Sequence, residues 1–326
     1  MIEYQKVLEN EYAISLFTEA LATIDQDALQ LPMGLLTRLV LCNSAFAQQF
    51  EHAGGLHDAI VSRLLDPVNN TSSLLVDALL AMSQLARMSK DVYPQLESAH
   101  VCEHLSNLIR HGDASVRARA CNLIGNLCRH SEYFYSKLKK TGLITELIER
   151  CQDEDMATQK FACFALGNAG FHTDTLYKYL KAAVPVLTAH LASDDPKTRA
   201  NAAGALGNFA RNSNDLCSEL TSAGAVEGLA RIVSDHARRL KEGASQGESQ
   251  KKRSGSREAA PTREESSPVK IALFSLGNLC THSVCRERLW EHIDVADVMS
   301  IIREKSCDTA VQKYSGRIEH KYGQKT

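Results

Sequence analysis

The chain has 326 residues, 44% of them hydrophobic and 23% charged, with a formal net charge of −2. That is a core-forming composition, and near neutrality excludes the broad basic surface that phosphate binding demands, so nucleic acid is not an expected partner. No apolar run approaches the ~18 residues of a membrane span, and the start, MIEYQKVLENEYAISLF, lacks the apolar core and cleavage site of a secretory signal.

In chain order, residues 1–31 read as an N-terminal capping helix with a loose stripe of Tyr4, Val7, Leu8, Tyr12 and Leu16, an element that can cover the first apolar face of a repeat array. Pro32 suits the first turn of the next helix, and 32–66 form a first, diverged unit. A second unit covers 72–111. A third begins at Asp113, an N-cap for the run from Ala114, and continues through Tyr133–Lys139 and, after Gly142, Leu143–Cys151. A fourth follows Asp153-Glu154-Asp155, and a fifth opens at Asp194-Asp195-Pro196, an acid cap followed by proline. Repeats 1–5 thus occupy 32–237. From Arg238 the sequence turns polar, and 238–268 is predicted to be a disordered charged insertion, because it offers too little apolar surface to offset ordering entropy. Within it, Lys251-Lys252-Arg253 could act as a localisation signal and Ser267, followed by proline, could accept phosphate. The segment 269–326 holds a last repeat, with Trp290 expected in the core, and a closing helix over Asp308–His320.

One phrase sets the period. Asn122-Leu123-Ile124-Gly125-Asn126 returns as Phe164-Ala165-Leu166-Gly167-Asn168, Gly204-Ala205-Leu206-Gly207-Asn208 and Phe274-Ser275-Leu276-Gly277-Asn278. Gly125 to Gly167 is 42 residues and Gly167 to Gly207 is 40. An alanine stands five before each glycine (Ala120, Ala162, Ala202, Ala272), a large aliphatic one before, and an apolar residue two after. Those offsets trace one helix face. Ser83, with Gln84 after it, takes the glycine slot of an earlier unit. Glycine inside a helix costs roughly 1 kcal/mol relative to alanine, so close packing of neighbouring helices is the expected reason for its return. The fold class is all-α, a right-handed α-solenoid of about six armadillo/HEAT-like repeats. Three helices per unit, with a glycine turn before the last, favour armadillo over HEAT.

Catalytic patterns are missing: no GxxxxGK[ST] loop, GxSxG elbow, HExxH helix or kinase set occurs. No enzyme activity, metal or cofactor is expected. The ten cysteines form no CxxC pair, and Cys121, Cys128, Cys163, Cys217 and Cys280 fall in helical apolar patterns, as buried thiols of a cytoplasmic protein do. His130, His172 and His282 stand five after the repeat glycine, with Asn212 in the same slot. Neighbouring repeats are ~8–10 Å apart, too far for shared metal ligation, so these residues are expected to cap helix carbonyls locally. The functional lead is the column Gln84, Asn126, Asn168, Asn208 and Asn278, expected to project from successive helices and to hold the backbone of an extended peptide, since an amide both donates and accepts. This column resembles the asparagine ladder of importin-α-type nuclear-import receptors. The slot their tryptophan fills holds Asn122, Phe164, Gly204 and Phe274 here. A transport adaptor binding basic peptides is therefore an alternative, though periodic acids near the column are lacking.

A second resemblance covers about half the chain. FALGNAGFH at 164–172, AAVPVLTAHLASDDPKTRANAAGALGNFARNS at 182–213 and KIALFSLGNLCTHSVCR at 270–286 are similar to the armadillo-like C-terminal region of Fused-family serine/threonine kinases. The resemblance implies a non-catalytic scaffold or the regulatory tail of such a kinase. It also implies protein partners of kinesin-like or axonemal type, and a place at the cilium or flagellum axoneme, in central-pair assembly, or in Fused-type signalling.

Overall fold

The computed structural model describes residues 13–250 and 267–323, without the side chains of 243–250 and Ser267. These residues form two compact units divided after Ala169, and every α or 3-10 element among them is helical, with no strand. Tyr4, Val7, Leu8 and Tyr12 of the expected capping stripe lie outside the described residues, as does Lys251-Lys252-Arg253.

In the first unit, α1 (Ala13–Thr23) precedes a repeating order of one long helix and two short ones. The long helices are α2 (Gln30–Cys42), α5 (Ser72–Met88), α8 (Ala114–Leu127) and α11 (Met156–Ala169); we call them lead helices. Between them lie the pairs α3 (Ser44–His52) and α4 (Asp58–Leu64), α6 (Tyr93–Ser98) and α7 (Val101–Leu108), α9 (Tyr135–Thr141) and α10 (Leu143–Arg150). Each lead helix packs on the next. The second unit opens with α12 (Tyr177–Leu180) and α13 (Ala183–His190). It continues with the lead helix α14 (Pro196–Asn208), then α15 (Cys217–Ser222), α16 (Ala225–Gln250), the lead helix α17 (Ser267–Leu279), α18 (Ser283–His292), α19 (Val295–Lys305) and the lead helix α20 (Thr309–Gly323). Here α14 packs on α17 and α17 on α20.

The punctuation follows from local chemistry. Asp113 Oδ1 accepts from Ser115 N at 2.8 Å, Asp195 Oδ2 from Thr198 N at 2.7 Å, and Asp308 Oδ1 from Ala310 N at 2.8 Å, each satisfying an otherwise orphaned donor of a lead helix. The two short helices of a unit meet at a left-handed residue in four places: Gly54, His100, Gly142 and Gly224. Only glycine takes this conformation without steric cost, so His100 marks the one turn held by a bulkier residue.

The recurring apolar face is the core. Ala120, Ile124 and Leu127, and their counterparts Ala162, Leu166, Ala169, Ala202, Leu206, Phe209, Ala272, Leu276 and Leu279, are all fully buried. Each large side chain among them contributes about 1.5–3 kcal/mol of burial. The glycine column has the expected cause at two sites. A Cβ on Gly125 would collide with the Phe164 ring of the following lead helix, and one on Gly207 would lie 2.6 Å from Ser275 Cα. At Gly277 the space is open, with nothing within 4 Å. The five cysteines named above are buried.

Two expectations are corrected. Of the expected insertion at 238–268, residues 251–266 lie outside the described residues, but over 238–250 α16 runs unbroken through Gln250. Ala237 is buried against the unit, Arg238 pairs with Asp235 one turn earlier at 2.7 Å, and Lys241 reaches Asp297 of α19 at 3.3 Å. The good helix formers Arg238–Glu242 continue a helix already nucleated by packing. Trp290 is half-buried, its ring 5.6 Å from Tyr322 and its face 5.4 Å from the Arg286 guanidinium, because the last lead helix covers it from one side only.

Candidate peptide-binding face

The C-terminal ends of the lead helices are tied together by a recurring set of polar bonds, and most of the amide column belongs to it. Asn168 Nδ2 donates to Gly125 O at 2.8 Å and Asn278 Nδ2 to Gly207 O at 3.3 Å, so each amide grips the glycine carbonyl of the lead helix before it. Asn126 has Ser83 in place of that glycine. Its Nδ2 donates to Ser83 Oγ at 2.7 Å and to Asn122 Oδ1 at 3.2 Å. Asn126 is only 3% exposed, which corrects the expectation that it projects from the surface: the small serine lets the amide sink between α5 and α8. Its buried Oδ1 has no partner among the described residues. Gln84 turns along its own helix, accepting from Arg87 at 2.7 Å. Asn208 is half-buried and also engaged. Ser267 starts α17, and its side chain is outside the described residues.

The slot five after the glycine makes the second tie. His130 Nε2 lies 2.9 Å from Arg87 O, Asn212 Nδ2 donates to Phe171 O at 3.1 Å, and His282 Nε2 lies 2.7 Å from Ala210 O. These side chains do meet carbonyls at or just past a helix end, but those of the preceding repeat rather than their own. Lys321 fills the slot in α20 and donates to Gly277 O at 2.6 Å and Thr281 Oγ1 at 2.8 Å.

A third tie escaped the sequence reading. The hydroxyls of Tyr93, Tyr135 and Tyr177 donate to the carbonyls of Asn126, Asn168 and Asn208 at 2.8, 2.8 and 2.6 Å. Burial pushes the Tyr93 phenol up to about 12 and raises that of Tyr177 as well, so both remain neutral donors. Their spacing of 42 residues was the available signal.

With their donors engaged, the amides leave the exposed lead-helix faces to aromatic and cationic side chains. In the first unit Lys160, Phe161, Phe164 and Asn168 share the half-exposed face of α11. Arg119 and Lys160 lie 5.6 and 4.8 Å from the Phe161 ring centre. In the second unit Arg211 stacks on Phe171 at 4.1 Å, Arg317 on Tyr314 at 5.5 Å, and Phe274 meets Tyr314 edge-on at 5.5 Å. Such pairs hold a guanidinium flat against a ring while its edge still donates. Away from this face, a buried ion pair braces the first unit. Arg117 grips Asp153 through two bonds of 2.8 and 2.7 Å and also donates to the carbonyls of His111 and Gly112. Burial acts to raise the Asp153 pKa, but hydrogen bonds from Arg117 and the Asp155 N–H outweigh it and hold the carboxyl below its ordinary value.

Among the described residues no helix is long and apolar enough to cross a membrane, and no group of three or more His, Cys, Asp or Glu could hold a metal ion.

Residues 144–246 match the family description of HEAT repeats. Over 243 residues, 71% of the chain, the sequence is 46% identical to the serine/threonine-protein kinase TIO of Arabidopsis thaliana, of whose length the match spans 17%. The homology covers only that kinase's non-catalytic repeat region. Among solved structures, an engineered protein superposes with a TM-score of 0.77 at 20% identity, covering 98% of this chain and 71% of that one. A designed armadillo repeat protein gives 0.65 at 21% identity, covering 82% and 99%. Another, solved in complex with a (KR)4 peptide, gives 0.63 at 20% identity, covering 80% and 98%. The fold is thus an all-helical armadillo/HEAT-like repeat solenoid. The chain carries an armadillo/HEAT repeat region homologous to that of TIO, a Fused-family serine/threonine kinase.

Proposed function

We propose that the chain is a non-catalytic armadillo-repeat scaffold that binds extended protein segments along the exposed faces of its lead helices. The observation that carries this reading is the division of labour on those helices. Their amide donors hold neighbouring repeats in register, while aromatic rings with stacked cations stand on the exposed side. Stacked pairs of this kind suit recognition of main-chain and acidic groups, and Asn168, Asn208 and Asn278 can add their remaining amide valences. A designed relative in fold carries a bound peptide, which supports the use of such a surface for peptides. By the resemblance to Fused-family kinases, the reading extends to a role in cilium or axoneme assembly, central-pair building included, or in Fused-type signalling, with kinesin-like or axonemal proteins as partners. A regulatory tail of a serine/threonine kinase would use the same surface. The basic-peptide adaptor reading is disfavoured by the charge of the faces. Arg38, Arg119, Lys160, Lys197 and Lys270 face outward on successive lead helices, and Asp77 is the acid among them.

The test is affinity capture from ciliated-cell extract with the wild-type chain, an Arg119→Glu/Phe161→Ala variant and a Phe274→Ala variant, after each shows unchanged helicity and melting. Capture of axonemal or motor proteins by wild type and its loss in either variant supports the scaffold reading. Retention of the same partners by both variants removes the lead-helix faces from the mechanism, and capture of import cargo would favour the adaptor.

A further inference from the structure

The last two lead helices leave a gap between them. At Gly125 and Gly207 the glycine slot is filled by the next lead helix: Phe164 lies on Gly125 and Ser275 on Gly207. Between α17 and α20 nothing lies within 4 Å of where a Cβ of either Gly277 or Gly316 would stand. The result is a groove of about 600 Å³ with a two-glycine floor. One wall is the edge-to-face pair Phe274 and Tyr314. The rim also carries two exposed cations, Lys313 and Arg317, with Lys321 further along α20 and the neutral polar Asn278 and Thr281 opposite. No Asp or Glu lines it. Glu319 of the same helix is turned away into a pair with Arg303 at 2.7 Å.

A glycine floor lets a guest backbone approach more closely than any side chain would allow, and an aromatic wall accepts an apolar side chain. Arg317 lies over Tyr314 at 5.5 Å, an arrangement that presents guanidinium edges for two-point contact with a carboxylate. Lys313 adds a point charge one turn away. Neither cation has a carboxylate within ion-pairing distance among the described residues, so among those residues the charge of Lys313 and Arg317 is uncompensated. We propose that the groove between α17 and α20 is the docking site for an acidic, extended protein segment, its carboxylates held by Lys313 and Arg317 and its backbone laid over Gly277 and Gly316. The assignment rests on the peptide-binding reading above and gives it a partner chemistry, opposite in sign to the basic peptide bound by the designed armadillo protein.

The experiment is fluorescence anisotropy on the full chain with two labelled peptides of equal length, a Glu-Leu repeat and a Lys-Arg repeat. Wild type should bind the Glu-Leu peptide, more weakly as salt is raised, and leave the Lys-Arg peptide unbound. A Lys313→Glu/Arg317→Glu variant should lose affinity by at least about tenfold. Gly277→Leu, which fills the groove and keeps its charge, should lose a similar factor. Far-ultraviolet circular dichroism and melting qualify each variant. Where charge reversal harms folding, Lys313→Gln/Arg317→Gln replaces it. Unchanged Glu-Leu binding in both the charge and the filling variants would overturn the site. Preference for the Lys-Arg peptide would overturn the acidic assignment while leaving peptide binding standing. If neither peptide binds, the proposal falls, and the scaffold reading is then decided separately by the capture experiment.

Discussion

Alanine placed at two equivalent glycines should move stability in opposite directions. Both Gly207 and Gly277 sit inside lead helices with ordinary backbone angles, so alanine gains about 1 kcal/mol of helix propensity at each. At Gly277 nothing opposes that gain, since the new Cβ meets no atom within 4 Å, and the variant should be more stable by up to about 1 kcal/mol. At Gly207 the new Cβ would stand 2.6 Å from the Ser275 Cα, a backbone atom that no rotamer change can remove. Separating α14 from α17 costs about 1–3 kcal/mol of overpacking. It also stretches the buried bond from Ser275 Oγ to Ala203 O, now 2.7 Å, whose loss would add about 1–3 kcal/mol. The net is a destabilisation of about 1–5 kcal/mol after the propensity gain is subtracted. The assay is urea unfolding of both variants followed by circular dichroism. The slope must be checked against wild type, because repeat arrays can unfold in stages. Ser275→Gly in the Gly207→Ala background should recover only part of the loss, because it removes Cβ and Oγ but leaves the Cα. The reasoning is refuted if Gly207→Ala is as stable as wild type, or if Gly277→Ala is the less stable of the two.

Other outcomes follow from the polar ties. Arg117→Met should cost about 3 kcal/mol, at the low end for a broken buried pair, because the Asp153 carboxylate loses two bonds but keeps Arg150 Nη1 at 3.0 Å and the Asp155 N–H at 3.0 Å. Adding Asp153→Leu should return only part of it, since Arg150 then loses its partner, and urea midpoints of the single and double variants check both. Arg110 donates to Glu146 Oε2 at 2.8 Å, and that hydrogen bond holds the Glu146 pKa below its ordinary value, as Arg117 does for Asp153. For carboxyls depressed on folding, the stabilisation is complete above their unfolded values and is lost as pH falls through the folded ones. Urea midpoints should therefore be flat near neutrality and drop below about pH 4, with hydrogen exchange in α8 and α10 accelerating first. Tyr135→Phe removes the 2.8 Å bond to Asn168 O and should cost about 1 kcal/mol by urea unfolding. Tyr93→Phe should cost more, since that hydroxyl is buried and also faces the His130 N–H at 3.4 Å.

The repeat period, the apolar face and the N-caps were legible in the chain because they are local properties. A helix face is fixed by offsets along the sequence, and a cap by residues two or three positions away. Asp113, Asp195 and the buried triad of Ala120, Ile124 and Leu127 behave as their spacing says. Composition misled at Arg238, because it measures what a segment can bury and not whether a helix already formed upstream will run on through it. The amide and histidine columns were visible as columns, yet their partners were not: Gly125 O lies 43 residues from Asn168, and Arg87 O lies 43 from His130. Sequence by itself determined that these side chains recur in register. Only the tertiary structure decided that the donors of Asn168 and Asn278 and the ring of His130 reach carbonyls of the repeat before, and that the register leaves a gap at Gly277 and Gly316. Hydrogen-bond donors and glycine clearances are satisfied by whatever atoms packing brings within about 3 Å, and no pattern along one strand of sequence states which atoms those will be.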